Sequence, residues 1–424
     1  MDYRERDRKH LWHPLTQHGL EPDHLPIVRA EGSWLYDEEG KGYVDGIASW
    51  YTCMYGHCNP KITARVKEQL DRLDQVVFTG FTHPPAIELS EKLISILPGA
   101  LNRIFFSDNG STSVDVAIKM ALQFHFNRGL SKKRIIAFEN AFHGDTFGAM
   151  SVSGLSVYNG PFEDFLLEID RIPVPDDNNI EEVKALLESF LKGGEVAAFV
   201  FEPLVQGAAA MRMHSAGHLD ELMRISSEYG ALNIADEVMT GFGKTGKNFA
   251  SEYLESAPDI ICLSKSLTAG IAPMALTCAT EEVFEAFCDR EISKGFFHGH
   301  TYSANPLACA AAAAGIDLLR SDEIQGAIQR IHLRHKEFDK EIKVHPLVGQ
   351  TRLLGVIYAL DLNVEAQRYG GLRDKLYRFF MDQGVFLRPL GNTIYLLPPF
   401  TITDEELSKI YRSVLDCLNM LSDD

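Results

Sequence analysis

The segment Ala231-Leu232-Asn233-Ile234-Ala235-Asp236-Glu237 is a short, mainly apolar run that ends in two adjacent carboxylates. A second run, Asp259-Ile260-Ile261-Cys262-Leu263, is followed directly by Ser264-Lys265. Short apolar runs of this kind predict strands that are buried in a parallel sheet. Open α/β sheets bind their ligands at the carboxyl ends of the strands. Asp236 and Lys265 are therefore expected to meet in one site.

The chemistry of this pair fits pyridoxal 5'-phosphate (PLP). PLP acts as an electron sink when a lysine holds it as a Schiff base and an acid keeps its ring nitrogen protonated. Lys265 and Asp236 would fill these two roles. A lysine after a strand is more often a solvated charge, and an aspartate there is often a helix cap, so the prediction needs support from the rest of the chain.

Composition restricts the possible partners. The chain has 424 residues, 41 of them basic and 59 acidic, and a formal net charge of −18. This balance offers no basic surface for nucleic acid, which is not expected as a partner. The charged first ten residues lack the apolar core of a signal peptide, and the small-residue run 308–314 is too short to span a bilayer. We therefore expect a cytoplasmic protein with no membrane partner.

Cysteine and histidine patterns predict neither disulfides nor a metal site. The seven cysteines form no C-x-x-C pair, which is typical of reduced thiols. The candidate metal ligands are Cys53, His57 and Cys58, the pair His298 and His300, and the pair His214 and His218. None of these groups has the partner ligands of a recognised zinc pattern, so no metal is expected.

Several elements around the Asp236 and Lys265 segments can be predicted from local patterns. The turn 37–42 separates two short apolar runs and indicates a hairpin. The strand 103–107 is followed by a Gly-Ser turn and a helix with apolar residues at helical spacing. Thr112 and Asp115 resemble a capping box, and Gly110 would let backbone amides approach a phosphate. This stretch could also be an ordinary capped helix.

Further strands also end in polar turns. The strand 134–138 precedes Phe142, which could stack on a planar ring or simply belong to the core. The strand 197–201 ends at Glu202. Because strands alternate with helices here, the sheet should be mostly parallel. The aromatic pair Trp50 and Tyr51 is expected in the core or on the wall of an apolar channel.

The last hundred residues change in character. We predict a long charged helix, one strand over 352–360, a helix near 371–383, short strands around Arg388 and Tyr395, and a final helix over 403–421. This pattern indicates a smaller α+β domain. The expected organisation is a large domain over 59–318 and a small domain built from 1–58 and 319–424.

Together these motifs resemble a known family over nearly the whole chain. The chain is similar to the subgroup III (ω-type) aminotransferases of fold type I, which are α/β proteins with a seven-stranded-type sheet in the large domain. The general motifs are Asp-Asn-Gly-Ser at 108–111, Phe-His-Gly at 142–144, Glu-Pro at 202–203, Ala-Asp-Glu-Val-Met-Thr-Gly-Phe-Gly-Lys-Thr-Gly at 235–246 and Ser-Lys at 264–265.

Narrower motifs resemble the adenosylmethionine:8-amino-7-oxononanoate aminotransferases, the 7,8-diaminopelargonate synthases of biotin biosynthesis. These motifs are Trp-His-Pro at 12–14, Ser-Trp-Tyr at 49–51, Thr-His-Pro-Pro at 82–85, His-Gly-Asp-Thr-Phe-Gly at 143–148, Val-Gln-Gly-Ala at 205–208, Arg-Pro-Leu-Gly at 388–391 and Tyr-Leu-Leu-Pro-Pro at 395–399. The resemblance implies a homodimer with two shared active sites and the substrates 8-amino-7-oxononanoate and S-adenosylmethionine.

The resemblance also implies roles for individual residues. Lys265 and Asp236 would be catalytic. The implied cofactor-binding residues are Gly110, Ser111, Phe142, His143, Glu202, Asp236, Val238 and Lys265, with His300 and Thr301 from the neighbouring subunit. The implied substrate-binding residues are Trp50, Tyr51, Phe142, Lys265, Gly299, Arg388 and Tyr395. Arg388 would bind the carboxylate of 8-amino-7-oxononanoate, because its planar fork matches a carboxylate.

Four positions depart from the family pattern and leave the amino donor open. Leu15 and Phe142 stand where tyrosines are usual, Tyr51 replaces a tryptophan, and Lys244 replaces an arginine. The donor could be S-adenosylmethionine or lysine. The chain could also be a different ω-aminotransferase (for ornithine, 4-aminobutyrate or a diamine), a PLP racemase or mutase, or a non-catalytic protein of the same fold.

Overall fold

The computed structural model describes residues 3–20, 22–154 and 160–422. Its strands are β1 Ile27–Glu31, β2 Trp34–Asp37, β3 Gly42–Asp45, β4 Leu101–Ser107, β5 Arg134–Phe138, β6 Ile169–Ile172, β7 Val196–Phe201, β8 Val205–Gln206, β9 Arg212–Met213, β10 Leu232–Asp236, β11 Ile260–Leu263, β12 Ala275–Thr280, β13 Val348–Leu354, β14 Ile357–Leu362, β15 Val385–Phe386 and β16 Thr393–Leu396.

The central element is a seven-stranded sheet with the order β4-β12-β11-β10-β7-β5-β6. The strands from β11 to β6 are parallel to their neighbours, whereas β12 is antiparallel to both β11 and β4. Every residue of β7, β10 and β11 is buried, which explains their mainly apolar sequences. The mostly parallel α/β sheet confirms the prediction.

Helices cover this sheet and extend towards both chain ends. They are α1 Tyr3–His10, α2 Pro60–Leu70, α3 Pro84–Ile94, α4 Gly110–Asn127, α5 Phe147–Val152, α6 Ile180–Leu191, α7 Ala216–Glu228, α8 Glu281–Glu285, α9 Pro306–Leu319, α10 Asp322–Ile342, α11 Gly371–Asp382 and α12 Asp404–Ser422. Val114 and Phe124 of α4 share one buried apolar cluster with Val200 and Ile234 of the sheet. None of the described helices is both long and apolar enough to cross a membrane.

Two smaller sheets form near the chain ends. The predicted hairpin is present as β2 and β3, and β15 pairs in parallel with β3. This pairing places Phe386 beside Asp45, so the segment that carries Arg388 begins next to the one that carries Trp50. The second small sheet has the order β13-β14-β16. Pairing between distant segments therefore joins the two ends of the chain.

Two local predictions are wrong. The cap of α4 is Asn109, whose side chain accepts a hydrogen bond from the Thr112 amide (3.0 Å), so Thr112 lies inside the first turn. The single strand predicted over 352–360 is a hairpin of β13 and β14, which turns at Gly355 (φ +59°). A β-carbon at Gly355 would lie 2.2 Å from the Thr245 carbonyl carbon, so tertiary packing selects glycine there.

Candidate active site

The structure brings Asp236 and Lys265 to the same edge of the central sheet. Asp236 is the last residue of β10, and it pairs with Cys262 of the parallel neighbour β11. Lys265 lies two residues beyond the end of β11 and begins a short 3₁₀ turn with a positive φ of 49°. Both residues emerge at carboxyl ends of parallel strands, as the apolar runs predicted.

The Asp236 carboxylate is buried and fixed by two hydrogen bonds. His143 Nδ1 donates to Oδ2 (2.7 Å), and the Val238 amide donates to Oδ1 (3.0 Å). The other ring nitrogen of His143, Nε2, is buried and has no hydrogen-bond partner among the described residues. His143 therefore orients a buried carboxylate that is available to a positively charged group.

Glu202 supports the turn that carries Phe142 and His143. Its carboxylate accepts hydrogen bonds from the amides of Phe142 (3.1 Å) and Gly207 (3.0 Å). Burial raises the pKa of Glu202 to about 7, because the charged form loses its solvation; the Asp236 charge adds to this rise, while His143 opposes it. Glu202 thus fixes the backbone beneath the half-buried Phe142 ring.

Lys265 presents an amine without a hydrogen-bond or ion-pair partner in the described part of the chain. Its Nζ lies 5.1 Å from the centre of the Tyr51 ring. Burial lowers the pKa of Lys265, and the negative charges of Asp236 and Glu202 only partly oppose this effect. A lowered pKa increases the fraction of neutral amine, which is the nucleophilic form.

The N-terminus of α4 lies against the same site. A β-carbon at Gly110 would lie 2.7 Å from the side chain of Val238. Only glycine therefore lets the helix begin this close to Val238, whose amide binds Asp236. The Ser111 hydroxyl lies 2.7 Å from the Thr146 hydroxyl and accepts a hydrogen bond from the Thr146 amide (2.8 Å). The free amides of this helix end favour an anion such as phosphate.

Trp50 and Tyr51, the predicted aromatic pair, lie on a turn with a left-handed backbone. Four consecutive residues, Ala48–Tyr51, have positive φ angles of 48°, 45°, 64° and 72°. Left-handed backbone costs about 1–2 kcal/mol for each residue that is not glycine, so the turn needs tertiary support. Trp50 is 43% exposed, whereas Tyr51 is buried.

Asp45 supplies that support at the start of the turn. Its buried carboxylate accepts hydrogen bonds from the Ile47 amide (3.2 Å), the Ser49 hydroxyl (2.8 Å) and His57 Nε2 (2.8 Å). Burial lowers the pKa of His57, but hydrogen bonds with Asp45 and with nearby Cys53 outweigh it and raise the pKa to about 10. A charged histidine and a carboxylate therefore hold the turn. No sequence motif indicated this arrangement.

Arg388 reaches the exposed side of the same turn. The half-buried guanidinium lies 5.0 Å from the centre of the Trp50 ring. No described residue forms an ion pair or hydrogen bond with it. The ring of Tyr395 lies 5.9 Å from that of Tyr51, centre to centre. The structure thus joins Arg388 to Trp50 and Tyr395 to Tyr51, and Tyr51 in turn contacts Lys265.

The loop 299–301 is not joined to this cluster within one chain. Gly299 and Thr301 are exposed, and the Thr301 carbonyl accepts a hydrogen bond from the Gln75 side chain (2.8 Å). His300 Nε2 is buried without a partner among the described residues. The substrate contact implied for Gly299, and the phosphate contacts implied for His300 and Thr301 of a neighbouring subunit, remain predictions.

Sequence reasoning missed a buried chain of hydrogen bonds behind the site. Lys244 is fully buried and donates to the Ser266 hydroxyl, which donates to the Tyr51 carbonyl (2.8 Å). Burial lowers the pKa of Lys244, and the Lys265 charge lowers it further. The only signal in the sequence was a lysine where the family pattern has arginine.

The sequence of the chain matches a known protein family. The class-III aminotransferase family model matches residues 16–418. The chain is 43% identical to the adenosylmethionine-8-amino-7-oxononanoate aminotransferase of Synechococcus elongatus, over 97% of this chain and 98% of the relative. It is 40% identical to the Geobacter sulfurreducens protein of the same name, over 95% and 94% of the two chains.

Solved structures agree with these sequence relationships. The Methanocaldococcus jannaschii adenosylmethionine-8-amino-7-oxononanoate aminotransferase superposes with a TM-score of 0.92 at 32% identity, over 97% of this chain and 98% of the other. An ω-transaminase from Pseudomonas jessenii, in complex with PMP, superposes with a TM-score of 0.94 at 27% identity, over 99% of each chain. These likenesses confirm the predicted fold type I. The chain therefore belongs to the class-III aminotransferase family.

Proposed function

We propose that this chain is a PLP-dependent enzyme that transfers an amino group to 8-amino-7-oxononanoate and produces 7,8-diaminononanoate for biotin biosynthesis, with S-adenosylmethionine as the amino donor. The names of the full-length relatives support the reaction. The observation in the structure that carries the proposal is the convergence, at adjacent strand ends, of a buried carboxylate and a lysine that has no ion-pair or hydrogen-bond partner among the described residues.

The residues present fit PLP. Lys265 would hold the cofactor covalently, and the buried Asp236 carboxylate would pair with the protonated ring nitrogen through a charge-assisted hydrogen bond. Gly110 and Ser111 at the start of α4 would bind the phosphate, and the Phe142 ring would stack on the cofactor ring. We further propose a homodimer in which His300 and Thr301 of a second copy complete the phosphate site.

When bound, PLP supplies an electron sink for the carbon that carries the transferred nitrogen. The protein must then move a proton at that carbon. Lys265 Nζ is suited to this task, because its lowered pKa favours the neutral amine that can act as a base. Asp236, held by His143, would pair with the protonated ring nitrogen of the cofactor.

Arg388 suits the carboxylate of 8-amino-7-oxononanoate. A half-buried guanidinium without an anionic partner in the described chain is costly, and a substrate carboxylate would remove that cost. The neighbouring rings of Trp50 and Tyr51 offer an apolar surface for the aliphatic part of the ketone.

The assignment of S-adenosylmethionine as the amino donor depends on the same aromatic surface. Trp50, Tyr51 and Phe142 could contact a sulfonium cation or an adenine ring. Leu15 and Phe142 cannot make the hydrogen bonds of the usual tyrosines, at a cost of about 0.5–1.5 kcal/mol for each net bond lost. Losses of that size weaken a donor without excluding it. Lysine is the competing donor, and its second ammonium group would need a carboxylate at the entrance, which Asp145 would supply only if it faces the pocket.

Single-turnover half-reactions test both assignments. The holoenzyme is mixed separately with S-adenosylmethionine and with lysine, and the cofactor spectrum is followed; conversion by lysine alone would overturn the donor assignment. The second half-reaction uses 8-amino-7-oxononanoate with Arg388→Ala. We expect a loss of about 2–5 kcal/mol in kcat/KM, mainly through KM, as for truncation of one partner of a buried charge pair.

The matched control is Arg378→Ala, since Arg378 is an exposed arginine of α11. It should leave both half-reactions unchanged. An equal loss in the donor and ketone half-reactions of Arg388→Ala would show that Arg388 does not bind the ketone selectively. Failure of the wild type to use 8-amino-7-oxononanoate, with normal turnover of another amino acceptor, would refute the proposed substrate.

A further inference from the structure

A second cluster of chemically active side chains lies in the N-terminal segment, on residues that no step of the transamination uses. Both carboxylate oxygens of Asp7, on α1, lie 2.9 Å from His13 Nε2. The His24 ring stacks on the His13 ring with a centre-to-centre distance of 3.6 Å. One ligand atom from each of the three residues lies within 4.8 Å of the other two. Asp7, His13 and His24 are all half-buried.

We propose that Asp7, His13 and His24 bind a divalent transition metal ion of the Zn²⁺ class. Two imidazoles and one carboxylate form a donor set that Zn²⁺ and its first-row neighbours favour over Mg²⁺ or Ca²⁺. Three protein ligands in a half-buried cluster leave a fourth position for water. The sequence patterns missed this site because its ligands are six and eleven residues apart, which matches no common zinc spacing.

The distances suit first-row metal coordination. Ligand bonds of roughly 2.0–2.2 Å in a tetrahedral site place neighbouring ligand atoms about 3.3–3.6 Å apart. The Asp7–His13 distance of 2.9 Å is already close to this value. A ligand atom of His24 lies within 4.8 Å of both others, but its ring is stacked on His13, so it must rotate before its nitrogen can bind the same ion. The ion would replace the hydrogen bond between Asp7 and His13.

The state of His24 supports a ligand role. Its Nε2 is buried and has no hydrogen-bond partner among the described residues, so an acceptor lone pair or an N–H group is left unsatisfied.

Nearby cations do not compete for the Asp7 charge. Arg4 and Arg8 both form ion pairs with Asp23, whereas His13 is the only ion-pair partner of Asp7 in the described chain. A bound ion would therefore join α1, the following loop and the segment that leads into β1. We expect metal binding to stabilise this N-terminal segment.

The test uses the tag-free holoenzyme after treatment with a chelator, because a polyhistidine tag would itself bind the metal. Zn²⁺ titration by calorimetry should show one site per chain, and Co²⁺ should give the ligand-field bands of a tetrahedral site. His13→Gln, His24→Gln and Asp7→Asn should each weaken Zn²⁺ binding by at least about tenfold, since even outer-sphere changes cost that much. Zn²⁺ should raise the Tm of the wild type but not that of the variants.

His10→Gln is the matched control, because His10 is an exposed histidine at the end of α1 outside the cluster. It should keep full Zn²⁺ affinity. The Tm of each variant without metal establishes that it is folded. Absence of a stoichiometric site in the wild type would overturn the proposal. So would Zn²⁺ affinity that survives in the double variant of His13 and His24, because the metal would then be bound elsewhere.

Discussion

Replacing Asp45 by asparagine should loosen the left-handed turn Ala48–Tyr51 that carries Trp50. The Asp45 carboxylate is fully buried and accepts hydrogen bonds from the Ile47 amide, the Ser49 hydroxyl and His57. Asparagine keeps the size of the side chain but removes the charge. It also places an amide group, which can only donate, against one of these donors.

The expected loss of stability in Asp45→Asn follows from the loss of the ion pair between Asp45 and His57. Breaking a buried pair costs about 3–5 kcal/mol, and a single hydrogen bond to a charged group contributes about 1.5–3 kcal/mol. Because the His57 side chain is 10% exposed, we expect the free energy of unfolding to fall by about 2–4 kcal/mol at pH 6. For a chain of 424 residues this corresponds to a Tm decrease of about 2–5 °C.

The effect should depend on pH in a defined direction. The pKa of His57 is raised to about 10, so the folded state favours the protonated ring. The stability from this pair is complete below the unperturbed histidine pKa of about 6.5 and is lost as the pH rises to about 10. The Tm difference between the wild type and Asp45→Asn should therefore shrink between these pH values.

The assay is thermal unfolding at a series of pH values, with the KM for 8-amino-7-oxononanoate measured in parallel. Asp37→Asn is the control, because Asp37 is a buried carboxylate in the same hairpin that binds Tyr43 instead of a histidine. It should lower the Tm equally across this pH range and leave KM unchanged, whereas Asp45→Asn should raise KM. A Tm difference for Asp45→Asn that is constant from pH 6.5 to 10 would refute the role of the charged pair.

Three further predictions concern the cofactor residues. Borohydride reduction of the holoenzyme should attach the cofactor to Lys265 and leave the Lys265→Ala variant unlabelled; a label on Lys244 in peptide mapping would contradict the site. Asp236→Asn should keep the covalent attachment but slow transamination by on the order of several kcal/mol in activation free energy, and near-normal single-turnover rates would exclude the electrostatic role. Gly110→Ala should reduce cofactor retention after dialysis, because the new β-carbon would lie 2.7 Å from Val238. Adding Val238→Ala to that variant should restore retention, and unchanged cofactor content in the single variant would contradict the close fit.

The cofactor side of the site could be predicted from the sequence to a large extent. Asp236 and Lys265 each follow a contiguous apolar run, and in a parallel sheet such runs leave their next residues at one edge. Gly110 follows the strand β4 and begins the helix α4. These features are local in sequence, so the apolar runs were sufficient to predict where these residues lie, whereas their roles depended on the family resemblance. The resemblance of the motifs to a known family added the roles of His143 and Glu202.

The family resemblance implied which residues form the substrate side, but only the tertiary structure determined how they meet, and only it showed the N-terminal cluster. Positive φ angles over Ala48–Tyr51 oppose the local preference of these residues, and contacts with Asp45 and His57 stabilise them. Arg388 meets Trp50 because β15 pairs with β3 across most of the chain length. The physical reason is common to both cases: the free energy of these contacts comes from burial and hydrogen bonding between distant segments, which local sequence patterns do not encode.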